Sequence, residues 1–516
     1  MSISRAYNSS AIPKKEPNFI FAIAFIWGLV GVVILSIFLS EVGFTDSLSK
    51  FYLLPWCFAT AAVLLSPSIY LIYKRRFEPF HPLVFPVWIY FFPGFVVGGI
   101  VLSMGLSNPY FLTFVQDAEN DLPLTLAYVM IGFAGLTIGF IIPYGRRIGA
   151  MIGNWLPAAD WKTDQVPFPT LFLLMLGIAN TILGFVQGIL GYQHINLEER
   201  GAFDGIVFLM SLFWQEATFL LCLYLFRSKR MTVFNVLVTV VVFLTAFTRS
   251  AFQGNRGSLL SMFVLVSFAY VLSGKKISIK HYSAGAVIVT LAIIIGMVYG
   301  TTFRNIKETE AQVGIGDYVE VVGKTFDTLA AKGIGSSLDT GFTALTERIE
   351  AVSSLAVVVS NYEALAPYEE AWGINNNIMI DTVVFFIPRI VWPDKPVGIE
   401  PHRYGDLYFN YGENSFTMTP MGDLLRNFGP IGVPLGMILL GFLIRVIYAA
   451  LVENREFSFW RVTLFYMLFV SISFEGSFSL IVPTLFKFGT FSVIGLLIVA
   501  FFIGTGKGVV NSRRPV

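Results

Sequence analysis

The chain has 516 residues, 55% of them hydrophobic and 13% charged, with a formal net charge of +2. That balance excludes a water-soluble globular enzyme and indicates a polytopic membrane protein. A basic excess, or a basic stripe with interleaved aromatics, is missing, so no nucleic-acid partner is expected. The two cysteines, Cys57 and Cys222, both fall inside apolar stretches, which excludes a disulfide framework and a Cys-rich metal site.

The elements follow in chain order. Arg5, Lys14 and Lys15 precede an apolar run from Asn18. The run is too long for the core of a signal peptide and no small-x-small cleavage site follows, so it reads as an uncleaved first span. A transmembrane helix needs about 20 apolar residues. Stretches of that kind occupy 18–39, 51–73, 82–104, 124–143, 168–191, 206–226, 232–248, 257–273 and 282–303, and then 428–450, 458–480 and 482–504. The expected fold is therefore an all-α polytopic membrane protein of about twelve transmembrane helices. Its parts are a nine-helix bundle (1–303), a largely polar insert (304–427) and a three-helix end (428–516).

The distribution of basic residues orients this chain. With the N-terminus inside, the cytoplasmic loops hold Lys74-Arg75-Arg76, Arg146-Arg147, Arg227 with Lys229 and Arg230, and Lys275-Lys276 with Lys280. The C-terminal tail holds Lys507, Arg513 and Arg514. The opposite loop at 105–123 has no Lys or Arg and carries Asp117, Glu119 and Asp121. The large insert then lies outside, between helices nine and ten, and both termini are cytoplasmic. Within it, 345–359 is amphipathic and suits a helix lying on the bundle or on the membrane surface. The stretch 376–392 resembles a span but is interrupted by Asp381 and Arg389, and reads as a re-entrant or surface helix.

Charged residues inside spans are costly and are functional candidates by default. Glu216 sits mid-span in Phe-Trp-Gln-Glu, whereas Arg445, near the inner end of its span, is expected to snorkel to the cytoplasmic surface. Arg249 and Arg256 flank a short outer turn, where positive charge is disfavoured. Gly254 and Gly257 in that turn would let a ligand approach the backbone. Two guanidiniums there suit a pyrophosphate, whose oxygens match their forked geometry; headgroup binding and helix-end snorkelling are the plainer alternatives.

Three short segments carry a family resemblance. They are Pro-Arg-x-x-Trp-Pro-x-Lys-Pro (388–396), Thr-Pro-x-Gly-Asp-x-x-x-Asn-Phe-Gly running into an apolar span (from 419), and the Gly-Asn-Arg-Gly turn at 254–257. Together with the twelve-span layout and the outer insert, they resemble bacterial oligosaccharide repeat-unit polymerases of the Wzy type. The spaced Arg-x10-Gly signature of some members is not intact at any outer arginine here.

The resemblance implies a GT-C-like glycosyltransferase of the bacterial inner membrane, related to the O-antigen ligases. Such an enzyme joins undecaprenyl-pyrophosphate-linked oligosaccharides into O-antigen or exopolysaccharide without nucleotide sugar, metal or other cofactor. Its implied partners are that lipid-linked oligosaccharide and the bilayer, with a chain-length regulator and a flippase as further candidates. The chemistry asks for cations at the leaving pyrophosphate and an acceptor for the hydroxyl proton. Arg249 and Arg256 come first for the pyrophosphate, followed by Arg304, Arg389 and Arg403. His402 leads for the base, because His81 and His281 fall on the cytoplasmic side and His194 has no motif around it. In the related ligases a loop histidine has this part. Asp423, in the Pro-x-Gly-Asp turn, is the rival. A flippase or exporter of the same lipid-linked sugars, or an O-antigen ligase, are the competing functions.

Overall fold

The computed structural model describes residues 50–107, 110–157, 161–187, 189–190, 203–228, 230–253, 258–275, 315–332, 349–385, 400–410 and 418–511. It also describes isolated positions between 285 and 306 and at 387 and 392. Among these residues every regular element is helical. Among the described residues, seven helices are long and apolar enough to cross a membrane, which makes this a polytopic membrane-embedded protein.

The helices are α1 (Leu54–Tyr73), α2 (Val87–Ser103), α3 (Ala118–Ile141), α4 (Pro143–Trp155), α5 (Pro167–Val186), α6 (Asp204–Arg227), α7 (Val233–Gln253) and α8 (Ser258–Leu272). Then come α9 (Ile315–Lys332), α10 (Val352–Glu369), α11 (Asn377–Val384), α12 (Glu400–Phe409), α13 (Pro420–Leu451), α14 (Phe459–Val470) and α15 (Ile481–Asn511). Of the expected spans, the third, eighth and eleventh coincide with the shorter apolar helices α2, α8 and α14. The first lies outside the described residues, and the ninth is described only at isolated positions.

Local chemistry sets the boundaries. The Asp117 carboxylate accepts from the backbone N–H groups of Glu119 and Asn120 and so caps α3. Asn120 holds Asp117 below the usual carboxylate range. The acidic run 117–121 is therefore a helix start, with Glu119 and Asp121 on the positive end of the helix dipole. Ile142 is extended (ψ 122°) and Pro143 opens α4, so the chain turns at the end of a span. At the head of α13, Thr419 Oγ1 accepts from Gly422 N and Pro420 takes the first turn. Gly429 (φ 69°) breaks this helix into a short arm and a long one, a left-handed conformation that suits glycine.

Packing divides the bundle into two groups. In one, α3 runs along α13 so closely that a Cβ on Gly139 would strike the Ile438 carbonyl, and one on Gly441 would strike that of Leu136. In the other, α6 is buried on most of its surface between α5, α8, α14 and α15, with Phe219 stacked on Tyr466 at 3.9 Å. α14 bridges the groups, touching α6 and α13.

Within the insert, α10 packs on α3 and α13, and Val352, Leu355, Ala356, Val357 and Val358 are buried. The helix begins later than the amphipathic stretch at 345–359 and extends further. Among the described residues, the segment read as re-entrant is helical over Asn377–Val384. Arg445, expected to snorkel, has a carboxylate partner beyond the end of its helix. Its Nη2 lies 2.9 Å from both carboxylate oxygens of Glu453, and its guanidinium sits 4.9 Å from the Phe140 ring centre.

Candidate functional site

The short arm of α13 places Asp423, Arg426 and Asn427 on one face, because residues three and four apart on a helix are neighbours. Asp423 is fully buried, and the Arg426 side chain has no exposed surface. Around Arg426 the fold has assembled a shell that engages both Nη atoms and leaves the buried Nε without a partner among the described residues. Its Nη1 donates to Glu369 Oε2 and to the Ile374 carbonyl, each at 2.7 Å. Its Nη2 donates to Asn377 Oδ1, to the Tyr404 hydroxyl and, at 3.2 Å, to Asp423 Oδ1. The guanidinium also lies 4.6 Å from the Tyr404 ring centre.

The partners are themselves bonded. The Tyr404 hydroxyl donates to Asp423 Oδ1 at 3.0 Å, and that of Tyr408 donates to Glu369 Oε1 at 2.7 Å. Asp423 Oδ2 accepts from the Ser479 backbone N–H at 2.9 Å, and Asn427 Nδ2 donates to Asn377 Oδ1 at 2.8 Å. Five places in the sequence thus meet: the end of α10, the start of α11, α12, the short arm of α13, and the turn before α15.

Burial pushes Glu369 above the ordinary carboxylate range, against the pull of Arg426. Burial likewise raises the Tyr404 phenol, which stays neutral and able to donate. One turn along α11 from Asn377, the half-buried Asp381 is raised to about 6, by burial first, against the lowering effect of the Ser479 side chain, and then by the charge of Asp423. Asp381 Oδ2 accepts no hydrogen bond among the described residues.

The residues expected from sequence fall as follows. Asp423 is central to this network, where both of its oxygens accept hydrogen bonds. His402 lies on α12, two residues before Tyr404; its side chain is outside the described atoms. Arg403, on the same helix, donates from Nη1 to the Gly373 carbonyl at 3.2 Å. Arg249 sits in α7 with its guanidinium 5.4 Å from the Trp214 ring, and shares no hydrogen bond with the Asp423 network among the described residues. Arg256, Arg304 and Arg389 lie outside the described residues.

Glu369, Tyr404, Tyr408, Arg426 and Asp381 were not singled out from sequence. Asp381 had a signal, a charge interrupting an apolar run. Glu369 and Arg426 are 57 residues apart, and nothing local to either announces the other.

In the second helix group Glu216 is fully buried. Its Oε1 accepts from Ser492 Oγ at 3.0 Å, and its Oε2 faces Gly495 with no hydrogen-bond partner among the described residues. No protein-family model, curated protein or solved structure matches this chain.

Proposed function

We propose that this chain polymerises undecaprenyl-pyrophosphate-linked oligosaccharide repeat units into O-antigen or exopolysaccharide on the outer side of a bacterial inner membrane. In this reading it is a Wzy-type glycosyltransferase with a GT-C-like arrangement of twelve spans, both termini cytoplasmic and the insert at 304–427 outside. The observation that carries the reading is the network above. It ties α12, the helix of His402 and Arg403, to the Pro-x-Gly-Asp head of α13 through Tyr404 and Asp423. One of the segments that suggested the family from sequence, the head of α13, is thereby tied to the helix that carries His402.

The reaction makes modest demands. A hydroxyl oxygen of the acceptor unit attacks the anomeric carbon of the growing chain. The bond from that carbon to the pyrophosphate oxygen breaks, and undecaprenyl pyrophosphate departs with the electron pair. Outer guanidiniums, with Arg249, Arg256, Arg304, Arg389 and Arg403 as candidates, offset the charge that develops on the leaving group. The hydroxyl proton passes to a base. His402 is the first choice, since an imidazole titrates near working pH. Asp381 is the second, as a half-buried carboxylate at about 6 with one oxygen unengaged. Asp423 is a positioning residue in this scheme.

A second reading, a flippase or exporter of the same lipid-linked sugars, is favoured by one observation. Glu216 is a buried carboxyl inside a spanning helix with an unpartnered oxygen, a feature common in transport pathways. One experiment separates the two: a gel of surface polysaccharide from a deletion strain, complemented with wild type or with Arg249→Ala/Arg256→Ala. The polymerase reading expects single repeat units displayed outside, with the ladder restored by wild type alone. Repeat units trapped facing the cytoplasm would overturn it in favour of transport. Polymer built but left unattached would indicate a ligase.

A further inference from the structure

The helix α4 follows a spanning helix after a single residue and presents two contrasting faces. Gly145, Gly149 and Gly153 are buried against Arg445, Ala449 and Ala450 of the long arm of α13. Tyr144, Ile148, Met151 and Trp155, spaced as one helical stripe, are exposed, with Trp155 at 76%. An apolar stripe exposed at the end of a span belongs in the interfacial layer of a bilayer, where tyrosine and tryptophan are favoured.

The far end of α4 is fastened. Arg461 Nη2 donates to the carbonyls of Gly153 and Leu156, each at 3.1 Å, and Arg455 Nη2 donates to that of Ala150 at 2.8 Å. These bonds satisfy carbonyls that a helix end leaves open and hold α4 in register on α13. The near end of α4 forms one wall of an open pocket of about 450 Å³, lined by Ile141, Pro143, Arg146, Arg147, Ala150 and Arg445. Three guanidiniums meet there. The nearby carboxylate is Glu453, bonded to Arg445 and 3.6 Å from Arg146 Nε. Among the described residues, three positive charges against one negative leave a local excess of two, and the Arg146 side chain is 59% exposed.

We propose that this pocket binds the phosphate-bearing headgroup of an anionic membrane lipid, from the leaflet in which α4 lies. The chemistry is that of a phosphodiester: forked guanidinium donors for its oxygens, and apolar walls at Ile141, Pro143 and Ala150 for the glycerol and the first acyl carbons. Position argues for a lipid over a free anion, because Ile141 is the last residue of a span and the exposed stripe of α4 runs alongside. The inference is independent of the reaction proposed above.

The test uses the full chain purified in detergent, with native mass spectrometry to count bound lipid during titration with phosphatidylglycerol or phosphatidylcholine of the same acyl chains. Wild type is expected to retain phosphatidylglycerol about ten-fold or more over phosphatidylcholine, since each basic residue near an anionic headgroup contributes about 1 kcal/mol. Arg146→Gln/Arg147→Gln should bring the two lipids to within about two-fold of each other. Arg146→Lys/Arg147→Lys keeps the charge that orients the chain, so it serves as the folded comparison if the first variant is poorly made. It should fall between the two, because an ammonium lacks the fork. Equal retention of both lipids by wild type, or undiminished phosphatidylglycerol selectivity in both variants, would overturn the proposal. Complete displacement of phosphatidylglycerol by millimolar inorganic phosphate would reassign the pocket to a free anion, and overturn the lipid part.

Discussion

Arg426 and Arg445 lie on the same helix, about five turns apart, and meet opposite surroundings. Arg426 is enclosed by two carboxylates, a carbonyl, an amide oxygen and a phenol, with nothing of its side chain exposed. Arg445 has one carboxylate, two aromatic faces and an open pocket that it shares with two further arginines. A guanidinium has five donors, and the partners they find decide what it can do. Enclosed and bonded through both Nη atoms, as at Arg426, it joins four helices and has little left for a substrate. Partly open, as around Arg445, the cluster keeps donors directed at whatever enters. The first arrangement is architectural and the second is suited to a ligand.

The sharpest break of that contrast is Arg426→Met. It leaves Glu369 and Asp423 buried without their counter-charge, a change that costs about 3–5 kcal/mol. Thermal unfolding in detergent should show a large loss, or no folded protein. A small loss would mean that Arg426 is not the keystone described here.

Glu350 sharpens the contrast with a buried carboxyl that has no cation in its bonding shell among the described residues. It accepts from both the backbone N–H and the hydroxyl of Ser353 at the head of α10, and burial raises it to about 7 from 4.5. The folded chain therefore holds a proton that the unfolded chain has lost between pH 4.5 and 7. Stability should fall as pH rises through that window, by up to about 3 kcal/mol from this group. Glu350→Gln should flatten the fall; an unchanged pH profile would refute the assignment.

Tyr404→Phe removes one hydroxyl that accepts from Arg426 and donates to Asp423, and should cost about 1–2 kcal/mol. If α12 carries the base, polymer length should also drop several-fold at near-normal protein abundance, as read from a polysaccharide gel beside an immunoblot. The smallest effect is expected at the open cluster. Arg146→Gln breaks only an exposed pair with Glu453 and should change stability by less than about 1 kcal/mol.

Much of the helical frame was legible from sequence because long apolar runs leave few alternatives. The break at Gly429 lies within the segment quoted for the family resemblance. The side-chain network was not legible. Glu369, Asn377, Tyr404 and Arg426 come from four separate helices, and hydropathy carries no record of which polar tips will meet. The pairing of Arg445 with Glu453 was missed for a related reason, since the partner lies beyond the end of the helix and snorkelling was the default. α4 was read as a loop because glycines and arginines dilute its apolar stripe below the level of a span. The spacing of Tyr144, Ile148, Met151 and Trp155 was visible all along.

The central claim is most directly tested with purified protein and the lipid-linked oligosaccharide extracted from the deletion strain, incubated without nucleotide sugar. Products at successive multiples of the repeat unit are expected, with one undecaprenyl pyrophosphate released per bond formed. Loss of that ladder is also expected in His402→Ala at unchanged thermal stability. Repeat units that stay at single length with the wild-type protein, under conditions where it is folded and lipid-bound, would contradict the claim.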